Sequence, residues 1–173
     1  MARDHARIQV GIWNDSDFRA LDGDDQRMYL TLLSQPRLTY CGTLDYFPSR
    51  LAKLSADGTE ESVLNAIWRL DKYRFVVIDE ETHEILCRTF VRHDGLLKSP
   101  NITRAMCKDR AGVISDHLRE SIDQELRRAW KEDPGTPGWK GMAESFPDLF
   151  RKLTGKSPAN YSAKGSGKGS DNG

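Results

Sequence analysis

The sequence predicts an α+β fold that is mainly helical. Helical spacing of apolar residues recurs in four segments between residues 24 and 130, and two short β-rich runs interrupt them, at 75–78 and 85–91. The chain has 173 residues, of which 38% are hydrophobic and 30% charged, so we expect one modest core and some unfolded length. This length excludes a barrel enzyme or a two-domain dehydrogenase.

The first two predicted helices are bounded by acidic residues, proline and glycine. Asp24 or Asp25 can cap the first helix, and Pro36 ends it because the residue before a proline is pushed out of helical geometry. Pro48 suits the first turn of the second helix, and Asp57-Gly58 closes it. The residues of the second helix that we expect to face inward are Leu51, Ala52 and Leu54.

The third predicted helix follows directly. Thr59 is a good N-cap, and Glu60 and Glu61 lie at the positive end of the helix dipole. Its apolar residues fall on one helical face, as burial requires: Val63, Ala66, Ile67 and Leu70.

A hairpin and a long helix complete the predicted domain. The β-rich runs at 75–78 and 85–91 flank a short polar turn, which is typical of a hairpin. A final helix is predicted from a Ser115 cap through Leu118, Ile122, Leu126 and Trp130. Helix, helix, short turn, helix and hairpin is the order of a winged helix-turn-helix domain, which we expect over residues 1–133.

Residues 134–173 are predicted to form a flexible basic tail. They are rich in Gly, Pro, Ser and Lys, carry six basic and three acidic side chains, and begin with the helix-breaking stretch Pro134–Gly138. A short amphipathic segment near 142–153 is typical of a peptide that folds on a partner, with Phe146, Leu149 and Phe150 as the docking residues. The alternative is that this segment packs back on its own domain.

The third helix carries the main indication of function. Opposite its apolar face, the sequence predicts a polar stripe of Ser62, Asn65, Arg69 and Lys72. Arg can bind guanine and Asn adenine through two hydrogen bonds, while Ser and Lys can hold phosphates, so the stripe has the chemistry of a recognition helix. The alternative is an ordinary solvated face. Like Trp13 and Trp130, Trp68 is expected to be a core or edge aromatic rather than a base-stacking platform, although it borders the Asn65 and Lys72 side of the stripe and could brace it.

Further phosphate contacts could come from outside this helix. Arg50 and Lys53 lie on the preceding helix, and Arg88 and Arg92 lie on the return strand of the hairpin. These four side chains could equally be ordinary solubilising residues. The tip of the hairpin, Asp79-Glu80-Glu81, is acidic, which argues against a wing that follows the phosphate backbone.

Several runs resemble small helix-turn-helix proteins of actinobacteriophages and their prophages. These runs are 12–21, 26–34, 75–79 and 88–95, and the resemblance extends over roughly residues 8–130. Such proteins are similar to the N-terminal winged-helix domain of phage replisome organisers and DnaD-type replication initiators. The resemblance implies binding of origin or operator DNA and self-association. It supplies no base-contacting residues.

Enzymatic, metal and membrane classes find little support in the sequence. His5, His83, His93 and His117 are scattered, and no phosphate-binding loop or hydrolase motif occurs. Cys41, Cys87 and Cys107 lack the spacing of a zinc site or a disulfide framework. From these observations together we expect no enzyme activity, no metal and no other cofactor. No apolar run approaches the ~20 residues that span a bilayer, which predicts a cytoplasmic protein of a bacterial host, associated with the nucleoid.

Three functional hypotheses follow. The first is a sequence-specific DNA-binding protein of phage type that acts as a replication initiator or replisome organiser. The second is a transcriptional regulator of phage genes, which could use the same helix. The third is a winged-helix module that binds protein and not DNA. The expected partners are double-stranded DNA, a further copy of the chain, and a host or phage replication protein that binds the tail.

Overall fold

The computed structural model describes residues 6–162, and helices dominate this part of the chain. A short 3₁₀ turn over Val10–Asn14 precedes the first helix. The α-helices are α1 Ser16–Ala20, α2 Gly23–Leu33, α3 Pro48–Ala52, α4 Glu60–Lys72, α5 Phe90–His93, α6 Pro100–Gly112, α7 Asp116–Glu132, α8 Gly138–Ser145, α9 Pro147–Thr154 and α10 Pro158–Ser162. The strands are β1 Thr43–Asp45, β2 Val76–Asp79 and β3 Glu84–Cys87. The mainly helical α+β class predicted from the sequence is therefore confirmed.

The three strands form one antiparallel sheet in the order β1-β3-β2. The predicted hairpin is present, with Val77 opposite Leu86 and Asp79 opposite Glu84. Strand β1 was not predicted, because three residues are too few to show an alternating pattern. The return strand ends at Cys87 and not at residue 91 as predicted, since Phe90 and Val91 turn into the core as part of α5.

The caps of α4 and α7 confirm their predicted starts. The Thr59 and Ser62 side chains form a reciprocal capping box at the start of α4, and Ser115 caps α7. The four apolar residues of α4 are buried as predicted. Helix α2 begins two or three residues earlier than expected, because the cap is Asp22 and not Asp24 or Asp25. Leu54 was predicted to face inward, but it is 55% exposed because the helix ends at Ala52.

The predicted domain boundary near Asp133 and the flexible segment after it are wrong for residues 138–154. Helices α8 and α9 pack against α6 and α7, and Trp139 and Phe150 are completely buried. The Trp130 ring lies edge-on to both, with ring centroids 5.3 Å and 5.6 Å apart. Pro134–Gly138 does end α7, but the chain then folds back onto the core. Residues 163–173 of the predicted tail lie outside the described residues.

Two glycines of α8 allow its close approach to α6. A Cβ on Gly138 would lie 2.2 Å from Thr103 Oγ1, and one on Gly141 would lie 2.7 Å from the Pro100 carbonyl oxygen. Only a residue without a side chain fits at these contacts. The composition that predicted disorder therefore includes glycines that are needed for packing.

Buried carboxylates connect the helices of the core. Asp123 of α7 accepts hydrogen bonds from Arg110 of α6 and from Lys152 of α9. Buried charges are stable only when they are paired in this way. Asp123 therefore ties the C-terminal helices to the rest of the molecule. Within residues 6–162, no helix combines the length and the apolar character needed to cross a membrane.

Candidate nucleic-acid interface

Helix α4 presents one face that no other element of the described chain covers. At 100° per residue, the centre of its buried face lies between Val63 and Leu70, and the opposite direction falls near Trp68 and Lys72. Asn65 and Glu61 lie beside them, and all four side chains are exposed. The outward face is thus rotated by a few tens of degrees from the stripe predicted from the sequence.

Two members of the predicted stripe are used within the fold. The Ser62 hydroxyl accepts a hydrogen bond from the Thr59 backbone N–H at 3.1 Å and donates one to the Thr59 carbonyl at 2.8 Å. The Arg69 guanidinium holds the buried Asp25 carboxylate of α2 through Nε and Nη2, at 2.8 Å and 2.7 Å. This ion pair raises the pKa of Arg69. The prediction that Arg69 reads a base is therefore wrong in this structure, because its hydrogen-bond donors face Asp25.

The other two members of the stripe remain outward. The Asn65 side chain makes no hydrogen bond to any residue among 6–162, so its amide is available for a partner. The Lys72 ammonium lies 5.3 Å from the centre of the Trp68 ring and 5.9 Å from that of Tyr73. Trp68 is 61% exposed and is therefore not a core aromatic, while its contact with Lys72 agrees with the expectation that it could brace the stripe.

Helix α3 adds a second cation on an aromatic ring. The Arg50 guanidinium lies 4.5 Å from the centre of the Phe47 ring, which in turn stacks on His83 at the turn of the hairpin. Lys53, at the end of α3, is exposed. Helix α3 packs against α4, so these exposed residues lie on neighbouring helices. We call Arg50, Lys53, Asn65, Trp68 and Lys72 the α3–α4 surface.

Arg88 and Arg92 do not belong to this surface. Both guanidinium groups bind the buried carboxylate of Glu125 in α7, and Arg92 also pairs with Glu132. The prediction that they contact phosphates is wrong, because they neutralise a carboxylate that would otherwise be buried without a partner. The sequence did not show this, since Glu125 lies more than thirty residues away.

The acidity of the hairpin has a structural explanation in two of its residues. Glu84 accepts hydrogen bonds from the backbone N–H groups of Ile114 and Ser115, at 3.0 Å and 2.8 Å. Asp79 is hydrogen-bonded to the Ser115 side chain and to backbone N–H groups of its own turn, which lowers its pKa. Glu80 and Glu81 remain exposed at the tip.

The predicted docking residues are part of the core region. Phe150 is completely buried, and Phe146 and Leu149 are partly buried against the same hydrophobic cluster. The prediction that they form a free docking peptide is wrong, and the alternative that the segment packs back on its own domain is correct. Their apolar side chains are covered by α7 and α8.

A cavity of about 330 Å³ lies between the N-terminal segment, helices α2 and α5, and the residues Tyr73, Arg74 and Phe75 that follow α4. Its polar lining is already engaged in part: Asp15 caps α1 and Arg88 binds Glu125. No group of three or more His, Cys, Asp or Glu side chains that could hold a metal ion occurs within residues 6–162.

Comparison of the chain with models of protein families, with curated proteins and with solved structures gives no match.

Proposed function

We propose that residues 23–87 form a winged helix-turn-helix unit that binds DNA through the α3–α4 surface. The proposal rests on the order of the elements, which is α2, β1, α3, α4 and the β2–β3 hairpin. In this order α4 is the second helix of the pair, and its outward face is uncovered. In helix-turn-helix proteins that second helix enters the major groove and contacts base edges.

The side chains of the surface suit this role. The Asn65 amide can form two hydrogen bonds with adenine, and Arg50, Lys53 and Lys72 supply positive charge for phosphates. None of these three cations forms an ion pair within residues 6–162, whereas Arg69, Arg88, Arg92 and Arg110 all do. The net charge of the whole chain is zero, so attraction to DNA depends on this local surface.

The role that we propose for DNA binding is initiation of replication or organisation of a replisome in a phage. This role follows from the resemblance described above. Regulation of phage transcription would use the same contacts, and a selection of bound fragments from the source genome distinguishes an origin from an operator.

The proposal is tested by duplex binding at several salt concentrations. We expect Lys72→Ala to reduce the salt dependence of the affinity by a slope of about 0.9, the value for one lost phosphate contact. Asn65→Ala should weaken binding to the selected sequence by about 1 to 3 kcal/mol and leave binding to random duplex unchanged. Lys108→Ala is the matched control, since Lys108 is an exposed cation on α6 without an ion pair in the described residues.

Absence of salt-dependent duplex binding would reject the proposal. The chain would then fit the remaining hypothesis, a winged-helix module that binds protein.

A further inference from the structure

Trp68 differs from the other tryptophans of the chain in its surroundings. Trp130 and Trp139 contact each other, and Trp13 lies edge-on to Phe18 at 5.5 Å. The Trp68 ring contacts no aromatic ring within residues 6–162, and its neighbour is the Lys72 ammonium. A large indole that is 61% exposed leaves apolar area in water that a ligand could cover.

A continuous duplex covers such a ring poorly. In a duplex the faces of the bases are stacked on each other, and a recognition helix meets only their edges, which are read by polar side chains. An unpaired base instead exposes a flat π-face that stacks on an aromatic side chain, while a nearby cation holds the phosphate. Trp68 and Lys72 present this combination on adjacent turns of α4.

We infer that Trp68 and Lys72 form a base-stacking site, so that the α3–α4 surface prefers DNA with unpaired bases to a continuous duplex. The inference rests on the proposed function and deepens it by naming the form of DNA. Phe47 with Arg50 repeats the pairing of ring and cation at the start of α3, but the Phe47 ring already stacks on His83, so Trp68 is the stacking position of this proposal.

The cation held against the Trp68 ring favours a ligand that carries phosphate, although the acidic Glu61 lies about two turns away on the same face of α4. Arg50, Lys53 and Lys72 form no ion pair within the described chain, whereas Arg104, Arg110 and Arg127 on α6 and α7 are paired with carboxylates. Charges that are not neutralised within the fold remain available to phosphates. A protein partner would equally use the exposed apolar side chains near Trp68, which are Leu54, Leu64 and Tyr73, and the experiment below includes that outcome.

The first measurement compares three labelled DNAs of one sequence: a single strand, a duplex, and a duplex with unpaired bases at its centre. We expect the single strand and the interrupted duplex to bind more tightly than the continuous duplex. Trp68→Ala should lower affinity for the first two by about tenfold or more, in line with the loss of one stacked base. Its effect on the continuous duplex should stay below about threefold.

The second measurement is tryptophan fluorescence during titration with the single strand. Stacking of a base on Trp68 quenches its emission, so the wild-type signal should fall at saturation. Trp13→Phe is the matched control, because Trp13 is also half exposed but lies outside the α3–α4 surface, and this variant should keep the quenching. Trp68→Phe should lose it while retaining part of the affinity.

The outcomes separate the two proposals. Duplex binding without a preference for unpaired bases, and without an effect of Trp68→Ala, would overturn the stacking site and leave the proposed function standing. No binding to any of the three DNAs would overturn both. Self-association that Trp68→Ala abolishes, with DNA affinity unchanged, would identify the Trp68 region as a protein interface instead.

Discussion

Arg69 is a core ion-pair residue and not a residue of the recognition face. Its guanidinium bridges α4 to the buried Asp25 of α2, and Asp22 lies 3.7 Å from its Nε. Removing one member of such a pair leaves a buried charge without compensation. At the residue scale, the role of Arg69 is therefore set by its partner Asp25 on α2 and not by its position on α4.

We expect Arg69→Ala to lower the free energy of unfolding by about 1 to 3 kcal/mol, at the low end for a buried pair because the arginine is one-third exposed. Lys72→Ala, an exposed lysine one turn further along α4, should change it by less than about 0.5 kcal/mol. Denaturant titrations of both variants measure the two effects. If the Arg69→Ala protein has wild-type stability and weakened DNA binding, Arg69 contacts DNA and this assignment is wrong.

At the element scale, the hairpin is attached to the long helix. The carboxylate of Glu84 in β3 accepts hydrogen bonds from two backbone N–H groups just before α7. The Ser115 side chain adds a hydrogen bond to Asp79 of β2. The hairpin is thereby held against the loop between α6 and α7. Two of the four acidic residues of the hairpin, Asp79 and Glu84, serve this attachment. The acidic composition of the hairpin therefore does not by itself show that an acidic surface would face DNA.

Replacing Glu84 should therefore affect stability, and replacing an acid at the tip should not. Glu84→Ala leaves the N–H groups of Ile114 and Ser115 without their acceptor, and we expect a loss of about 1 to 2 kcal/mol. Glu80→Ala, at the exposed tip of the same hairpin, should lie within about 0.5 kcal/mol of the wild type. Thermal unfolding compares the two variants, and equal melting temperatures would show that the hydrogen bonds of Glu84 to Ile114 and Ser115 do not stabilise the fold in solution.

At the scale of the whole molecule, the C-terminal helices complete the hydrophobic core. Trp139 and Phe150 are buried against Trp130, and Lys152 reaches the buried Asp123. A chain that ends at Asp133 would expose this apolar surface and leave Asp123 with one cation fewer. Helices α8 and α9 therefore contribute to the stability of residues that precede them by many positions in the chain.

We expect truncation after Asp133 to lower the melting temperature and to promote aggregation, because it uncovers an apolar patch. Phe150→Ala is the milder variant in the full chain and should cost about 3 to 5 kcal/mol, as for other buried aromatics. Calorimetry and light scattering measure the two consequences. A truncated chain that unfolds cooperatively at the wild-type temperature would show that the domain boundary predicted at Asp133 is correct.

Local chemistry made much of the fold predictable from the sequence. Thr59 and Ser115 were recognised as caps, Pro36 and Pro48 as helix limits, and the apolar face of α4 by its spacing, because each of these signals lies within a few residues of the structure that it specifies. Helix α6 was not predicted, and strand β1 was too short to give a pattern.

The candidate site was predictable only in part. Asn65, Lys72, Arg50 and Lys53 were identified as polar or charged residues on the correct helices, and they lie on the α3–α4 surface. Arg69, Arg88 and Arg92 belong to the same residue class but are paired with Asp25 and Glu125. A count of cations along the chain cannot distinguish the two groups.

The sequence by itself determined the helical class, the caps and the buried face of α4, because these depend on neighbours in the chain. Tertiary structure decided which arginines are neutralised, that Trp68 is exposed, and that Phe150 is buried rather than free to dock. The physical reason is that burial and ion pairing depend on residues brought together across tens of positions. Composition and periodicity carry no record of those contacts.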